Sequence, residues 1–278
     1  MNYEKEPQLQ PAEQQIKTYF YRLGLKLRDD LRKLRDFDPP ASGKKAKAEG
    51  WFVGYHSTVE AAFALKVCEC AGLPEEEKTL LLQAVMLDEI HKRKLYETGR
   101  HSSSTGRKET RAEAEDVLRT LYPDLDPRVL EIGRGIGADF THKFVEGKLT
   151  SGSDEERMIA RLEGYLSVIH NSVDTKISTV ISNGKRTKIQ TTEIVPWKLR
   201  IQQAREDKPG IAQETIEYNG QPIPILDAEE LSNDTMEADI KRRINELAPG
   251  AIDDATPLWE FVRNKLMKDI ANIDTDTN

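Results

Sequence analysis

The residues best suited to chemistry are His56, the pair Asp88-Glu89 with His91 close behind, and His170 with Asp174. Asp88 shares a helical face with Leu81 and Ala84, at the end of a run that is apolar all round. His91 is three residues on and falls on that same face. A carboxylate is costly to bury unless it is paired or bound to a cation. His170 and Asp174 are four apart, which on a helix puts them on one face beside an apolar stripe. Carboxylates and imidazoles that converge from separate helices form a familiar kind of metal site. Each residue also has a plainer reading. His56 would cap or orient the helix after it, Asp88-Glu89 would mark where a buried helix surfaces, and His170 would be a hydrogen-bonded flank residue.

Cations follow closely. Lys92, Lys94, Arg100, Arg107 and Lys108 are interleaved with Ser and Gly from Thr98 onward. Such a loop offers charge-assisted contacts to a phosphate, with arginine able to give two at once. The plain alternative is a solvated basic loop. The basic residues of the first helix (Arg22, Lys26, Arg28, Arg32, Lys33 and Arg35) read as its wet side.

The elements that must position these groups are mostly helices. Ile16, Phe20, Leu23, Leu27, Leu31 and Leu34 recur at helical spacing, and Asp38-Pro39-Pro40 ends that helix. A second helix is expected from about Ser57 to Gly72, a natural stop. Pro74 and three glutamates open a third, in which Leu80, Leu81, Leu82, Ala84, Val85, Met86 and Leu87 predict burial on every side. Further helices are expected over Glu109–Leu121, Pro127–Ile136 and Asp154 to about Thr179, the last with its stripe at Ile159, Leu162, Leu166, Ile169 and Val173. Asn183-Gly184 and Asn219-Gly220, each between β-branched residues, predict hairpin turns. The span from Ile194 to Asp234 is rich in turn signals and acids. Two closing helices are expected, one over Met236–Leu247 and one opened by Thr256-Pro257.

Of the 278 residues, 37% are hydrophobic and 32% charged, enough for a core under a well-solvated surface. The net charge of -7 argues against a general nucleic-acid binder while leaving a local basic patch open. Cys68 and Cys70, the two cysteines, point in different directions on a helix and cannot easily bridge, which points to a reducing compartment. The N-terminal residues are polar and no apolar run reaches membrane-spanning length, so the expectation is a cytoplasmic protein with no membrane partner.

The order of these features resembles the HD superfamily of metal-dependent phosphohydrolases, helical proteins whose metal site uses a His, a later His-Asp pair and a distant Asp. Tyr55-His56-Ser57-Thr58-Val59 looks like the helix with the first histidine. Ala84-Val85-Met86-Leu87-Asp88-Glu89-Ile90-His91-Lys92 looks like the segment that names the family, with Asp88-Glu89 standing where the family has His-Asp. Val173-Asp174-Thr175-Lys176-Ile177-Ser178 looks like the segment with the final aspartate. The resemblance covers roughly Gly54 to Ser182 and implies an HD-like helical domain over 51–182; with the amphipathic helix and connector over 1–50 and a smaller α+β extension over 183–278, both read from residue patterns, the expected fold is mainly α. The resemblance implies that His56, Asp88, Glu89 and Asp174 hold a divalent cation, with Asp88 and Glu89 at the reacting centre. Mg²⁺ or Mn²⁺ is favoured because a carboxylate stands in for an imidazole. Lys92, Arg100, Arg107 and Lys108 would hold the phosphate of a nucleotide or another phosphorylated small molecule. The competing expectation is a silent HD-like scaffold that binds a nucleotide or a protein partner.

Overall fold

The computed structural model of the chain describes residues 53–88, 115–116, 119, 123–182, 185–207 and 209–275. The expected helix over Ala12–Asp36, the connector after it, the loop 98–108 and most of the expected helix Glu109–Leu121 lie outside these. Within them the protein is mainly helical, with two small antiparallel hairpins in its C-terminal half.

Helix α1 (Val53–Cys70) begins four residues earlier than its apolar pattern announces and stops where Gly72 takes a φ of 58°. There the Leu73 amide returns to the Cys68 carbonyl at 3.0 Å, the bond that closes a left-handed helix end. Helix α2 (Glu75–Asp88) carries Glu75, Glu76 and Glu77 in its first turn, where the backbone dipole favours negative charge. Leu80, Leu81, Leu82, Ala84 and Val85 are all buried and Gln83 among them is half-buried, so this stretch of α2 is enclosed as its apolar residues predict. It packs on α3 (Pro127–Arg134) and on α5 (Asp154–Asn171), with the short α4 (Ala138–Val145) beside α5. Asp126 caps α3 by accepting from the Arg128 amide at 2.9 Å.

Helix α5 is the axis of the molecule. Ser153 and Glu156 close its first turn with a reciprocal capping pair, and every residue from Leu162 to Ile169 is buried. At Gly164 the neighbouring elements come so close that a Cβ would stand 2.4 Å from the Met236 sulfur and 2.6 Å from the Phe140 ring.

The expected continuation of this helix to Thr179 is overturned. Helix α5 ends at Asn171, and the chain turns at Ser172 into strand β1 (Val173–Ser182), which pairs with β2 (Lys185–Ile194). The physical reason is the β-branched series Val173, Thr175, Ile177, Thr179, Val180 and Ile181, which packs better on a pleated surface. Val173 is fully buried, so it extends the helical stripe by position although it belongs to a strand. Ser182 pairs with Lys185 across Asn183-Gly184, as the hairpin expectation requires.

The turn-rich reading of 194–234 is corrected in two places. Helix α6 (Trp197–Asp207) buries Trp197 and Ile201, an apolar edge too narrow to read among its charges. After the one-turn α7 (Pro209–Ala212), β3 (Thr215–Tyr218) and β4 (Gln221–Pro224) form the second hairpin. Asn219 and Gly220 have φ of 52° and 74°, the two positive values that a twisted two-residue turn needs. Helix α8 then runs over Ile225–Leu247 and not from Met236. Its buried face continues through Ser232 and Asn233, polar residues that interrupt the apolar pattern. The last helix, α9 (Leu258–Thr275), starts one residue beyond the expected proline position. The Leu258 amide is held by the Glu237 carboxylate of α8 at 2.9 Å, and Thr256 donates its amide to the Asp253 carboxylate.

Candidate functional site

His56 falls in the first turn of α1, Asp88 is the last residue of α2, and Asp174 is the second residue of β1. The side chains of His56 and Asp88 lie outside the described residues. So do Glu89, His91, Lys92, Lys94, Arg100, Arg107 and Lys108. The helical argument that paired His170 with Asp174 on one face fails, because α5 ends between them.

The structure ties the relevant segments together through other groups. Glu60, one turn beyond His56 on α1, is fully buried, and its Oε1 lies 3.2 Å from His170 Nδ1 in the last turn of α5. The first turns of α1 therefore meet the end of α5, and Asp174 follows four residues later. A buried carboxylate on one ring nitrogen fixes the orientation of an imidazole and selects its tautomer. Asp174 itself is half-buried, and Oδ1 of its carboxylate accepts from Arg200 of α6. A group of one imidazole and three carboxylates suits a hard divalent cation, and Asp174 is the member whose side chain is described. Among the described residues no three His, Cys, Asp or Glu side chains lie close enough to share one ion. Such a site would have to be completed by His56, Asp88 and Glu89.

Glu60 was not singled out from the sequence. Its signal was present: a lone acid at helical spacing from Phe63, Ala64 and Val67, all of them fully buried.

A second buried carboxylate lies at the middle of α5. Glu163 is fully buried, and its Oε1 accepts from Lys143 Nζ of α4 at 2.5 Å. Its Oε2 meets no hydrogen-bond donor among the described residues. Burial pushes its pKa up to about 7, although the Lys143 ammonium opposes the rise and Glu131 and Asp139 add to it. Lys143 loses solvation too, but its bond to Glu163 and the charges of Glu163 and Glu131 hold its own value above the ordinary one. Glu163 therefore titrates near neutrality beside a lysine that stays charged, and the upward direction for Glu163 follows from its complete burial.

Among the remaining reactive groups, Cys68 is buried and its thiol is pushed far up by loss of solvent, which leaves it inert. A cleft of about 660 Å³ opens where α6, α8 and α9 meet, walled by Trp197 and Trp259. Its polar groups are largely spent on one another: Trp197 Nε1 donates to Glu237 at 2.5 Å, and Lys198 pairs with Asp234 at 2.9 Å. No described helix is long and apolar enough to cross a membrane. No protein-family model, no curated protein and no solved structure matches the chain.

Proposed function

We propose that the chain is a metal-dependent phosphohydrolase acting in the cytoplasm on a nucleotide or another phosphate ester. The observation that carries this reading is the Glu60–His170 contact. It brings the helix with His56 to the end of the helix from which Asp174 follows. His56, Asp88, Glu89 and Asp174 would hold the cation, Mg²⁺ or Mn²⁺ by the predominance of oxygen donors. When bound, the cation supplies Lewis acidity and a water of lowered pKa. Lys92, Arg100, Arg107 and Lys108 would neutralise the substrate phosphate.

The Asp174–Arg200 pair favours a second reading, a helical scaffold whose final aspartate has been diverted to structural use and which binds a nucleotide or protein without turnover. One set of measurements separates the two. Melting curves recorded with Mn²⁺, Mg²⁺, Zn²⁺ or EDTA should show stabilisation by the first two, because a ligand that prefers the native state must raise its stability. Nucleotide hydrolysis should follow the same metals. Replacing Arg100, Arg107 and Lys108 together by Ala should weaken nucleotide binding, most at low salt. A parent protein that binds no nucleotide under any metal condition overturns the hydrolase and leaves the scaffold.

A further inference from the structure

Apart from Asp174 at its base, the β1–β2 hairpin has no place in either reading. Ten consecutive residue pairs, from Val173↔Ile194 to Ser182↔Lys185, make a ribbon about 33 Å long at ~3.3 Å per residue. Its base is fastened: Val173 is buried, the Val195 amide donates to the Ser172 carbonyl at 2.8 Å, and Asp174 is held by Arg200. Beyond the base, its backbone meets no described helix other than α5 in more than passing contact. Among the described residues the sheet contains only these two strands, and no described strand pairs with either outer edge.

The charge along the ribbon is one-sided. Between Thr175 and Thr192 stand Lys176, Lys185, Arg186 and Lys188 and no acid, in a chain whose net charge is -7. Three of the four occupy register positions at the closing end, Lys185 opposite Ser182, Arg186 opposite Ile181 and Lys188 opposite Thr179. The rest of the stretch is rich in Thr and Ser, with Gln190, all of them hydrogen-bonding groups that suit phosphate and sugar oxygens. The acidic body does not cancel this end, since charges are screened beyond about 8 Å at physiological salt and the ribbon is several times longer.

We propose that this hairpin is an arm that grips duplex DNA, its cationic end neutralising backbone phosphates. The B-form major groove, about 12 Å wide, admits a two-stranded ribbon, whereas the deep, narrow major groove of duplex RNA does not. A lipid surface fits less well, because 175–192 contains no aromatic residue or leucine to enter the headgroup region.

The test uses the full chain and fluorescence anisotropy with a short labelled DNA duplex of mixed sequence. Four neutralised phosphates predict an affinity that falls about 100-fold between about 50 mM and about 200 mM salt. The triple variant Lys185→Ala, Arg186→Ala, Lys188→Ala should retain a slope worth roughly one phosphate, with its helical circular dichroism unchanged. Lys188→Glu gives a second, single-site readout in the same direction. A parent that ignores the duplex at the lower salt overturns the proposal, as does one whose affinity is insensitive to salt or one that prefers phosphatidylserine vesicles or duplex RNA. Variants that bind as the parent does overturn it too. The parent's own salt slope decides the matter even where the triple variant fails to fold.

Discussion

Helix α5 makes two buried carboxylate contacts, one at its middle and one in its last turn, and the two are built differently. At the middle, Glu163 faces Lys143, whose long stem brings an ammonium in from a partly exposed position. Toward its finish, His170 rests on Glu60, and four residues later Asp174 rests on Arg200. At the first pair Glu163 Oε2 meets no donor among the described residues, and the carboxyl titrates near neutrality. At the second, two contacts join four elements, Glu60 of α1 with His170 of α5 and Asp174 of β1 with Arg200 of α6. A single lysine satisfies one acid and suits a structural compromise. A convergence of several elements on one helix end suits a site, because ligands must come from different directions. Burial alone therefore does not separate structural from functional acids; the number of elements that meet there does.

The largest effect should come from crowding Glu163. Gly135 has ordinary negative φ, so alanine fits its backbone. The added Cβ, however, would stand 2.4 Å from Glu163 Cγ and Cδ and 2.7 Å from its Cβ. Gly135→Ala should therefore lose about 1–3 kcal/mol in urea unfolding. Adding Glu163→Ala should return part of that loss, since most of the colliding atoms are gone. Losses that simply add would show that the two residues do not share this space.

Next in size is the pH response of the same acid. A carboxyl whose folded value is about 7, above its ordinary 4.5, binds more protons folded than unfolded between those values. Its contribution to stability is thus present at low pH and is lost as pH rises toward 7. Glu163→Gln should match the parent near pH 5 and exceed it near pH 8 by on the order of 2 kcal/mol. Equal stability curves at both pH values would mean that Glu163 is not desolvated as its burial implies.

These contrasts explain which parts of the molecule were legible in the sequence. The enclosed stretch of α2 and the Asn219-Gly220 turn were legible because one physical requirement dominates each, apolar burial in the first and positive φ in the second. The end of α5 was not, because Val173 satisfies helical and strand periodicity at once. The first half of α8 was hidden by Ser232 and Asn233, which are buried although polar. Helix α6 hid because two buried residues, Trp197 and Ile201, leave almost no periodic signal. At the candidate site, Asp174 could be named from its segment, but its partner Arg200 lies 26 residues on, across the hairpin. Glu60 needed the third dimension altogether, since His170 is 110 residues away.

The smallest stability change is expected at Asp174, and it carries the most information about the far end of α5. Its pair with Arg200 is partly solvent-exposed on both sides, so removing it should cost about 1 kcal/mol or less. The buried stripe Leu162, Leu166, Ile169 and Val173 is untouched by Asp174→Ala, so the core should hold. If Asp174 is a metal ligand, the variant should lose bound Mn²⁺ as read by metal analysis, while its melting temperature without metal scarcely moves. Arg200→Ala should then act in the opposite sense. Removing the guanidinium releases the oxygen it occupies and relieves the repulsion between two cations, so Mn²⁺ should bind more tightly. If Asp174 serves only to fasten the hairpin to α6, the two variants should instead lose the same small amount of stability and leave metal content alone. Opposite metal responses from the two halves of one ion pair are not expected of a purely structural contact, and equal responses would remove Asp174 from the cation site.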